Sequence, residues 1–274
     1  KEWLNNLKIR ASYGEVGNDV YTVNGVAQRF LYEEKWSQIN NDYYFGNTGT
    51  TGIYESQYPN YGVSWERAHK YNLGVEFGLW NGLLNGNVDF FYEKRNDILT
   101  AYLTRPQWVG VAMAAGNLGE TKNKGMEIEL HHHKSIGKDF SYNVGLTFSH
   151  AANEIINMDE PPIKTAYRKR EGHPINQYFG LVCEGFVTQA DIDGGKLPVS
   201  TYTGNVKVGD LKYKDMNGDG FIDDRDETFI GHSDIPENTY ALTLGANYKG
   251  WGFEVMFQGV DHVSRYYDSD AMFA

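Results

Sequence analysis

Strict alternation of apolar and polar residues recurs along this chain and limits its fold more than any other feature. In residues 140–149, an apolar series that includes Phe140, Leu146 and Phe148 alternates with serine, asparagine, glycine and threonine. Successive side chains of a β-strand point to opposite faces, so each such segment has one apolar face and one polar face. In residues 239–248, the apolar series begins and ends with a tyrosine. The pattern predicts a sheet that stands between an apolar and a polar environment.

The same alternation predicts about seven strands along the chain. Several of them reach ten residues or more, which is long for a strand of a globular protein and suits a tilted crossing of a membrane. The predicted strands cover residues 7–13, 70–79, 84–93, 126–131, 140–149, 237–248 and 251–258.

Short and long connections between these strands alternate along the chain. The short ones fall at residues 81–82, 134–138 and 249–250, and the long ones hold roughly fifty, twenty-five and eighty-five residues. In an antiparallel meander this order places all short turns at one end and all long loops at the other, as in outer-membrane barrels. A soluble β-sandwich with the apolar face as its core would show the same alternation. Strand length and loop asymmetry favour an all-β fold, a segment of an antiparallel up-and-down transmembrane β-barrel with short periplasmic turns and long outer loops.

Charged side chains of the predicted strands belong mainly to the polar series. In a membrane barrel the apolar face contacts lipid, and the polar face lines the lumen. The residues that we expect to point inward are Lys8, Arg10, Lys70, Glu76, Asp89, Glu127 and Glu254.

Composition excludes several classes of protein. The mean hydropathy is -0.55, and no stretch approaches the roughly 20 apolar residues that a membrane helix needs. The net charge of -11 argues against a nucleic-acid partner, because phosphate binding requires clustered lysine and arginine. With Cys183 as its single cysteine, the chain has no intramolecular disulfide.

One acidic segment, residues 215–226, has the spacing of a calcium-binding loop, and we call it the acidic loop. Oxygen-bearing side chains fall at its positions 1, 3, 5, 9 and 12, with Gly220 at position 6 for the sharp turn. The last position holds an aspartate in place of the usual bidentate glutamate, and a solvated turn is the alternative interpretation. The candidate Ca²⁺ ligands are Asp215, Asn217, Asp219, the carbonyl of Phe221, Asp223 and Asp226.

Residues 18–61 are rich in aromatic side chains that lie among asparagine, glycine and threonine. Exposed rings beside amides suit a sugar or peptide ligand, because rings supply apolar area and amides supply hydrogen bonds. A loop that packs on itself or on a partner has the same composition. Trp36, Tyr43 and Tyr44 are the candidate ligand-binding or partner-binding residues.

No catalytic pattern is present in the sequence. Nucleophile elbows, phosphate-binding loops and dinucleotide fingerprints are all missing. Among the three consecutive histidines, only His131 and His133 point to the same face of a strand, and a third metal ligand is not evident. We therefore predict that the chain is not an enzyme.

Several short segments, taken together and in order, resemble the SusC/RagA-like TonB-dependent outer-membrane transporters. The resemblance spans essentially the whole chain, although each segment alone is weak. The segments are LKIRASYG (7–14), GN (17–18), WE (65–66), YNLG (71–74), NLGE (117–120), NKGME (123–127), EGHP (171–174), YFG (178–180), GDLKYKD (209–215) and YKGW (248–251).

The resemblance implies that residues 1–274 are a late, C-terminal part of a larger barrel, without the plug and the N-terminal domains. It implies an outer-membrane protein of a Gram-negative bacterium that imports oligosaccharides or peptides. The expected partners are TonB, acting through the absent N-terminal part, membrane lipid and a SusD-like surface lipoprotein. Two alternatives stay open: a soluble, calcium-stabilised carbohydrate-binding β-domain, and a TonB-dependent receptor for siderophores or cobalamin.

Overall fold

Seven long strands form one antiparallel sheet in the computed structural model, which describes residues 3–104, 107–162, 165–195 and 197–267. Each strand pairs with its neighbour in this series, and the two outermost strands do not meet in the described residues, so the sheet is an open wall. All seven predicted strands are confirmed. They are β1 (Leu4–Asn18), β2 (Glu66–Leu79), β3 (Leu84–Thr100), β4 (Gly116–Ile136), β5 (Phe140–Asn157), β6 (Asn238–Tyr248) and β7 (Trp251–Asp261).

Two strands in the middle of the sheet are much longer than their alternation predicts. β4 has 21 residues and β5 has 18 residues. Towards the start of β4, the apolar series ends at Met126, because the preceding positions on the same face are Lys124 and Lys122. The main-chain ladder with β3 nevertheless runs on past these lysines, with a register shift only beyond Arg95. Pairing with neighbours therefore extends the strands beyond the part that the apolar pattern marks.

In the strand register, residues of the polar series pair with one another across the sheet, and so do residues of the apolar series. On one face Arg10 pairs with Gly74, which pairs with Asp89, which in turn pairs with Glu127. On the other face Val75 and neighbouring apolar residues form equivalent rows. The seven residues that we expected to point inward all belong to the polar face.

The apolar face of the sheet lies open. Ile9 is 68% exposed, and Leu73, Phe90 and Phe253 on the same face are also exposed. In a sandwich a second sheet would cover these side chains, but within the described residues none does. The buried apolar residues are few, and most lie in the loops: Leu31, Ala68, Ala114, Ala115, Val187 and Ile222.

The three short turns, at residues 80–83, 137–139 and 249–250, lie at one end of the sheet. Lys249 and Gly250 have φ of 47° and 86°, the left-handed pair that a tight two-residue hairpin requires. The other end carries loop 1 (19–65), loop 2 (101–115) and loop 3 (158–237). The predicted asymmetry is confirmed, and loop 2 is shorter than expected because β3 and β4 extend into it.

The loops contain short elements of their own. None of the helices in the described part of the chain is long and apolar enough to cross a membrane. Loop 1 holds the strands Tyr21–Val23, Val26–Gln28, Lys35–Phe45 and Thr48–Tyr58, and loop 2 holds a 3₁₀ turn at Gln107–Val109 and the strand Ala112–Met113. Loop 3 holds the strands Gln177–Gly180, Cys183–Phe186, Val199–Ser200, Leu211–Tyr213, Phe221–Ile222 and Thr228–Ser233, the helix α1 (Gln189–Asp193), and 3₁₀ turns at Ala166–Arg168 and Asp224–Asp226.

Candidate functional site

The polar face of the sheet carries an ionic network across β1, β2 and β3. The Arg10 guanidinium contacts Asp89 at 3.0 Å and Glu76 at 3.0 Å, and it donates a hydrogen bond to Asn87 at 3.0 Å. A Cβ on Gly74 would meet both Arg10 and Asp89, so a residue without a side chain makes room for the pair. These ion pairs join side chains of different strands, so they stiffen the polar face. They also give this face a charged surface.

A second network lies on the polar face near the end that carries the loops. Lys70 contacts Glu93 at 3.1 Å, and Arg95 contacts Glu66 at 2.8 Å. Beside it is a cavity of about 480 Å³ whose lining combines Glu66, Glu93 and Arg95 with apolar side chains. The cavity offers an apolar surface with an ionic rim, which suits an amphipathic ligand. Its apolar lining residues are Ile98, Ile155, Met158, Ile175 and Ile235.

Trp36, Tyr43 and Tyr44 lie on a long hairpin of loop 1, formed by Lys35–Phe45 and Thr48–Tyr58, which we call the aromatic hairpin. Each of the three rings is at least 60% exposed. Within the described residues they make no ring–ring contact with one another. They are therefore free to meet a ligand or a partner.

The register of the aromatic hairpin divides these three rings between its two faces. Trp36 pairs with Glu55 and Tyr44 pairs with Gly49, which are six residues apart on the partner strand, and a register shift between Ile39 and Tyr43 lies between the two pairs. The two rings therefore share a face, whereas Tyr43, which pairs with Thr50, points to the other face. The structure thus places two of the three predicted residues on one face of the aromatic hairpin, about 20 Å apart along it, and the third on the other face.

Hydrogen bonds from asparagine side chains hold loop 1 against the end of the sheet. Asn117 of β4 accepts from the N–H of Ser64 at 2.9 Å and donates to the carbonyls of Ser64 and Asp97. A small apolar cluster of Leu31, Ala114 and Ala115 lies beside this contact. The base of the aromatic hairpin is thereby fixed, while its rings stay exposed.

Loops 2 and 3 are joined through Asp159. Its carboxylate accepts from the N–H groups of Leu103 at 2.9 Å and Thr104 at 3.1 Å. Partial burial of the carboxylate acts to raise its pKa, but the hydrogen bonds from Thr104 and Leu103 outweigh it and lower the pKa of Asp159. The ionised form is therefore the one that holds the two loops together.

The first residues of the acidic loop use their side-chain oxygens to bind its own backbone. Asp215 accepts from the N–H of Gly218 at 2.6 Å and of Gly220 at 2.8 Å. Asn217 accepts from the N–H of Asp219 at 2.8 Å. The spacing that predicted a calcium loop thus produces the tight, self-bonded turn that such spacing favours.

Asp226 is the only fully buried large side chain in the described part of the chain. Its carboxylate accepts from the N–H groups of Met216 at 2.9 Å, Asn217 at 3.4 Å and Asp223 at 3.0 Å. These bonds close the acidic loop from its far end. Asp226 is therefore a structural centre of loop 3, a role that its position as a twelfth ligand did not predict.

Arg225 supplies positive charge to the acidic loop. Its guanidinium contacts Asp219 at 2.8 Å and Asp223 at 2.7 Å. The hydrogen bond from Arg225 lowers the pKa of Asp223, and the same bond raises the pKa of Arg225. Two of the predicted Ca²⁺ ligands thus have a side-chain cation as their partner.

Phe221, whose carbonyl is the remaining candidate ligand, lies in a two-residue strand that pairs with Val199–Ser200. His131, to which no metal was assigned, contacts Glu129 at 2.8 Å. In residues 3–104, 107–162, 165–195 and 197–267, no group of three or more histidine, cysteine, aspartate and glutamate side chains is arranged to hold a metal ion. The acidic loop has oxygen donors that suit Ca²⁺, but the cation would have to displace Arg225 from them.

Sequence reasoning missed Arg225 and the burial of Asp226. A local signal for the second existed, because Asp223 and Asp226 have the spacing of a capping box, and both of its hydrogen bonds form at the 3₁₀ turn. No spacing rule reveals that the Arg225 side chain folds back over the loop.

The chain is similar to known membrane receptors along its whole length. The family described as TonB dependent receptor-like, beta-barrel, matches residues 2–273. TonB-dependent receptor P26 of Formosa agariphila is 27% identical over 273 residues, which cover 94% of this chain and 26% of that protein. TonB-dependent receptor SusC of Bacteroides thetaiotaomicron is 24% identical over 97% of this chain and 26% of that protein. The chain therefore spans about a quarter of the length of these curated relatives.

Solved structures share the same fold. The RagAB peptide importer in its open-open state has a TM-score of 0.68 and 20% identity, covering 96% of this chain and 27% of that chain. Its closed-closed state has a TM-score of 0.63 and 22% identity, covering 95% and 27%. The open wall seen here thus corresponds to part of a larger barrel, and the resemblance found in the sequence is confirmed: the chain belongs to the family of TonB-dependent receptor β-barrels, with SusC among its relatives.

Proposed function

We propose that residues 1–274 are the late part of the barrel wall of an outer-membrane transporter of a Gram-negative bacterium. The whole protein would import oligosaccharides or peptides, driven by TonB. One observation carries the proposal: a seven-stranded sheet with an exposed apolar face and a charged polar face. A wall with these two faces fits between lipid and a water-filled lumen.

Transport, as opposed to catalysis, suits the contacts on the polar face. Its charged side chains engage one another across strands, as Arg10 does with Asp89 and Lys70 does with Glu93. Such pairs fix a hydrated surface. The cavity beside Arg95 adds a place where an incoming ligand meets both apolar and charged groups.

The aromatic hairpin is the proposed contact for a SusD-like surface lipoprotein or for the nutrient itself. Trp36 and Tyr44 share an exposed face at the loop end of the sheet, where such a lid would approach. Two similarities support this role: one relative is SusC, and the solved RagAB structures are described as a peptide importer. Peptide and oligosaccharide are both kept as substrate classes.

Calcium binding by the acidic loop is part of the proposal. The oxygens of Asp215, Asn217 and Asp219 are close together in the chain. The buried carboxylate of Asp226 holds the loop by accepting from the N–H of Met216. Bound Ca²⁺ would take over the charge neutralisation that Arg225 provides, and would hold loop 3 in one conformation. Weak binding, in the range of extracellular modules, suits a site outside the cell.

The test uses the full-length protein expressed in its own outer membrane. We expect the protein in the outer-membrane fraction, detergent-dependent extraction, and co-purification of a lipoprotein. Uptake of labelled oligosaccharides and peptides is compared with uptake of a ferric siderophore and of cobalamin. Extraction without detergent would favour the soluble carbohydrate-binding domain. Uptake of siderophore or cobalamin alone, without a lipoprotein, would favour the other class of receptor.

A further inference from the structure

We propose that two adjacent short turns of the sheet bind the phosphate of an anionic phospholipid. The turns are residues 137–139, between β4 and β5, and residues 249–250, between β6 and β7. Lys138 and Lys249 of these turns, together with Lys134 near the end of β4, form a group that we call the basic corner. The inference goes beyond the transport function, and it depends only on the apolar face being in contact with lipid.

The two turns are held together by a main-chain hydrogen bond. The N–H of Lys249 donates to the carbonyl of Asp139 at 3.0 Å. Lys134 pairs with Tyr142 in the β4–β5 ladder, which places it on the apolar face of the sheet. The Lys249 ammonium lies 5.4 Å from the centre of the Tyr248 ring. Lys134 thus lies on the apolar face two residues before the end of β4, and Lys138 and Lys249 lie in the two joined turns at the same end of the sheet.

The positive charge of the basic corner is not neutralised within the described residues. Lys134, Lys138 and Lys249 form no ion pair there, and all three are exposed. Asp139 is the single acidic residue in the two turns. The chain as a whole has a net charge of -11, so a local excess of three ammonium groups stands out. An anionic group from outside the chain is the natural partner for it.

The opposite rim of the same face differs in this respect. There Lys94 contacts Glu120, and Lys122 contacts Glu154 at 2.8 Å. Those two lysines are paired with carboxylates, whereas Arg67 and Lys124 on the same rim form no ion pair within the described residues. The carboxylates of Glu120 and Glu154 lie on that rim as well, and the basic corner has Asp139 as its single acidic residue, so the larger excess of positive charge is at the end that carries the short turns.

The surroundings of the basic corner suit the rest of a lipid molecule. Tyr248 and Trp251 lie on the apolar face at this rim, and Trp251 is 83% exposed. Aromatic side chains of this kind sit at the headgroup level of a membrane. Further along the same face, Val144, Leu244 and Phe253 present a surface for acyl chains. A single phospholipid would thus place its phosphate beside the lysines and its acyl chains on the apolar side chains.

The experiment measures phosphatidylglycerol binding to the purified full-length protein by native mass spectrometry. The variant carries Lys134→Gln, Lys138→Gln and Lys249→Gln together. Each basic residue near an anionic lipid surface contributes about a fivefold preference, so we expect a loss on the order of 100-fold for all three. A matched control replaces Lys169, Lys207 and Lys214 of loop 3 by glutamine and has the same change of charge. The control should bind as the unmodified protein does.

A second variant replaces the lysines of the basic corner by arginine and should retain binding, because the charge is preserved. Unchanged phosphatidylglycerol binding in the glutamine variant would overturn the proposal. Equal affinity for zwitterionic phosphatidylethanolamine would show that charge is not recognised. Saturation by inorganic phosphate at the same affinity would show that the occupant is not a lipid. Nutrient uptake is not measured here, so a failure of the transport proposal would not affect these outcomes.

Discussion

The seven-stranded sheet and loop 3 are held together by different interactions. In the sheet, continuous main-chain ladders join β1 to β7, and no second layer covers the apolar face within the described residues. In loop 3, buried Asp226 and the other acidic residues satisfy backbone N–H groups one by one. The sheet therefore depends on its surroundings to cover its apolar face, whereas loop 3 carries its own stabilising contacts.

This difference separates the tasks of the two regions. A ladder tolerates many side chains on its polar face, as long as the apolar face suits lipid. A loop built on specific acceptors is sensitive to each of them but leaves the ladder unaffected. Substitutions in the two regions should thus give effects that differ in kind as well as in size.

The largest effect is expected for Leu244→Arg in β6. Leu244 lies between Val144 and Val255 on the apolar face, so an arginine there would place a charge in the lipid. In the full-length protein folded in lipid vesicles, this should cost about 2 to 4 kcal/mol of unfolding free energy.

Thr243→Arg is the matched control, because Thr243 adjoins Leu244 in the chain but belongs to the polar face, between Gly145 and Met256. Its cost should be far smaller. The measurement is reversible denaturant unfolding followed by tryptophan fluorescence. Equal costs for the two substitutions would show that the assignment of the two faces is wrong.

The next effect is expected for Asp226→Ala in loop 3. Three N–H groups, those of Met216, Asn217 and Asp223, would lose their acceptor in a buried site. An unsatisfied buried donor costs about 1 to 3 kcal/mol, so the loop should open locally. Hydrogen exchange of the full-length protein measures this opening, and the amides of β5 and β6 should exchange as before.

Asp226→Asn is the control for this prediction, because it keeps one carbonyl oxygen in the same place. It should preserve part of the protection of Met216 and Asn217. If Asp226→Ala also increased exchange throughout β5 and β6, loop 3 would be coupled to the sheet, and the separation of the two regions would fail.

Much of the sheet was predictable from the sequence, because burial on one face imposes a period of two on the side chains. The extensions of β4 and β5 were not predictable, since charged residues such as Lys122 and Lys124 replace the apolar series there. The sequence showed that the segment of the aromatic hairpin is rich in aromatic residues, but it did not predict that this segment forms two paired strands. Both of its faces are exposed, so residues such as Trp36 and Tyr43 carry no periodic signal.

Loop 3 shows the limit of spacing rules. The acidic loop was found because Asx turns and calcium loops depend on residues that are close in sequence. The contacts of Arg225 with Asp219 and Asp223 depend on a side-chain rotamer that spacing does not specify. The calcium prediction therefore stays a prediction, with a competitor that only the structure revealed.

A smaller effect is expected when Trp36 and Tyr44 are both replaced by alanine. The two rings share one face of the aromatic hairpin, and exposed aromatic residues often supply much of the energy of a protein interface. Capture of the lipoprotein or of the nutrient should weaken by on the order of tenfold. The measurement is pull-down of the lipoprotein together with uptake, at surface expression checked by antibody.

Tyr43→Ala is the control, because Tyr43 has similar exposure but lies on the opposite face. It should leave capture nearly unchanged if one face of the hairpin makes the contact. Equal losses for Tyr43→Ala and for the double variant would mean that both faces are engaged. If all variants captured the lipoprotein and the nutrient normally, the three rings would serve only the packing of loop 1.

The smallest effect is expected at the acidic loop, where Arg225 competes with Ca²⁺ for Asp219 and Asp223. Calorimetric titration of the full-length protein with Ca²⁺ should give a Kd of about 10⁻⁴ to 10⁻³ M. Arg225→Ala should tighten binding by up to about fivefold, the size expected for loss of an exposed ion pair. Lys214→Ala removes the same charge nearby without that contact, so a larger gain for Arg225→Ala identifies the competitor. Asp219→Ala should weaken binding, and the absence of heat in every titration would discard the calcium site.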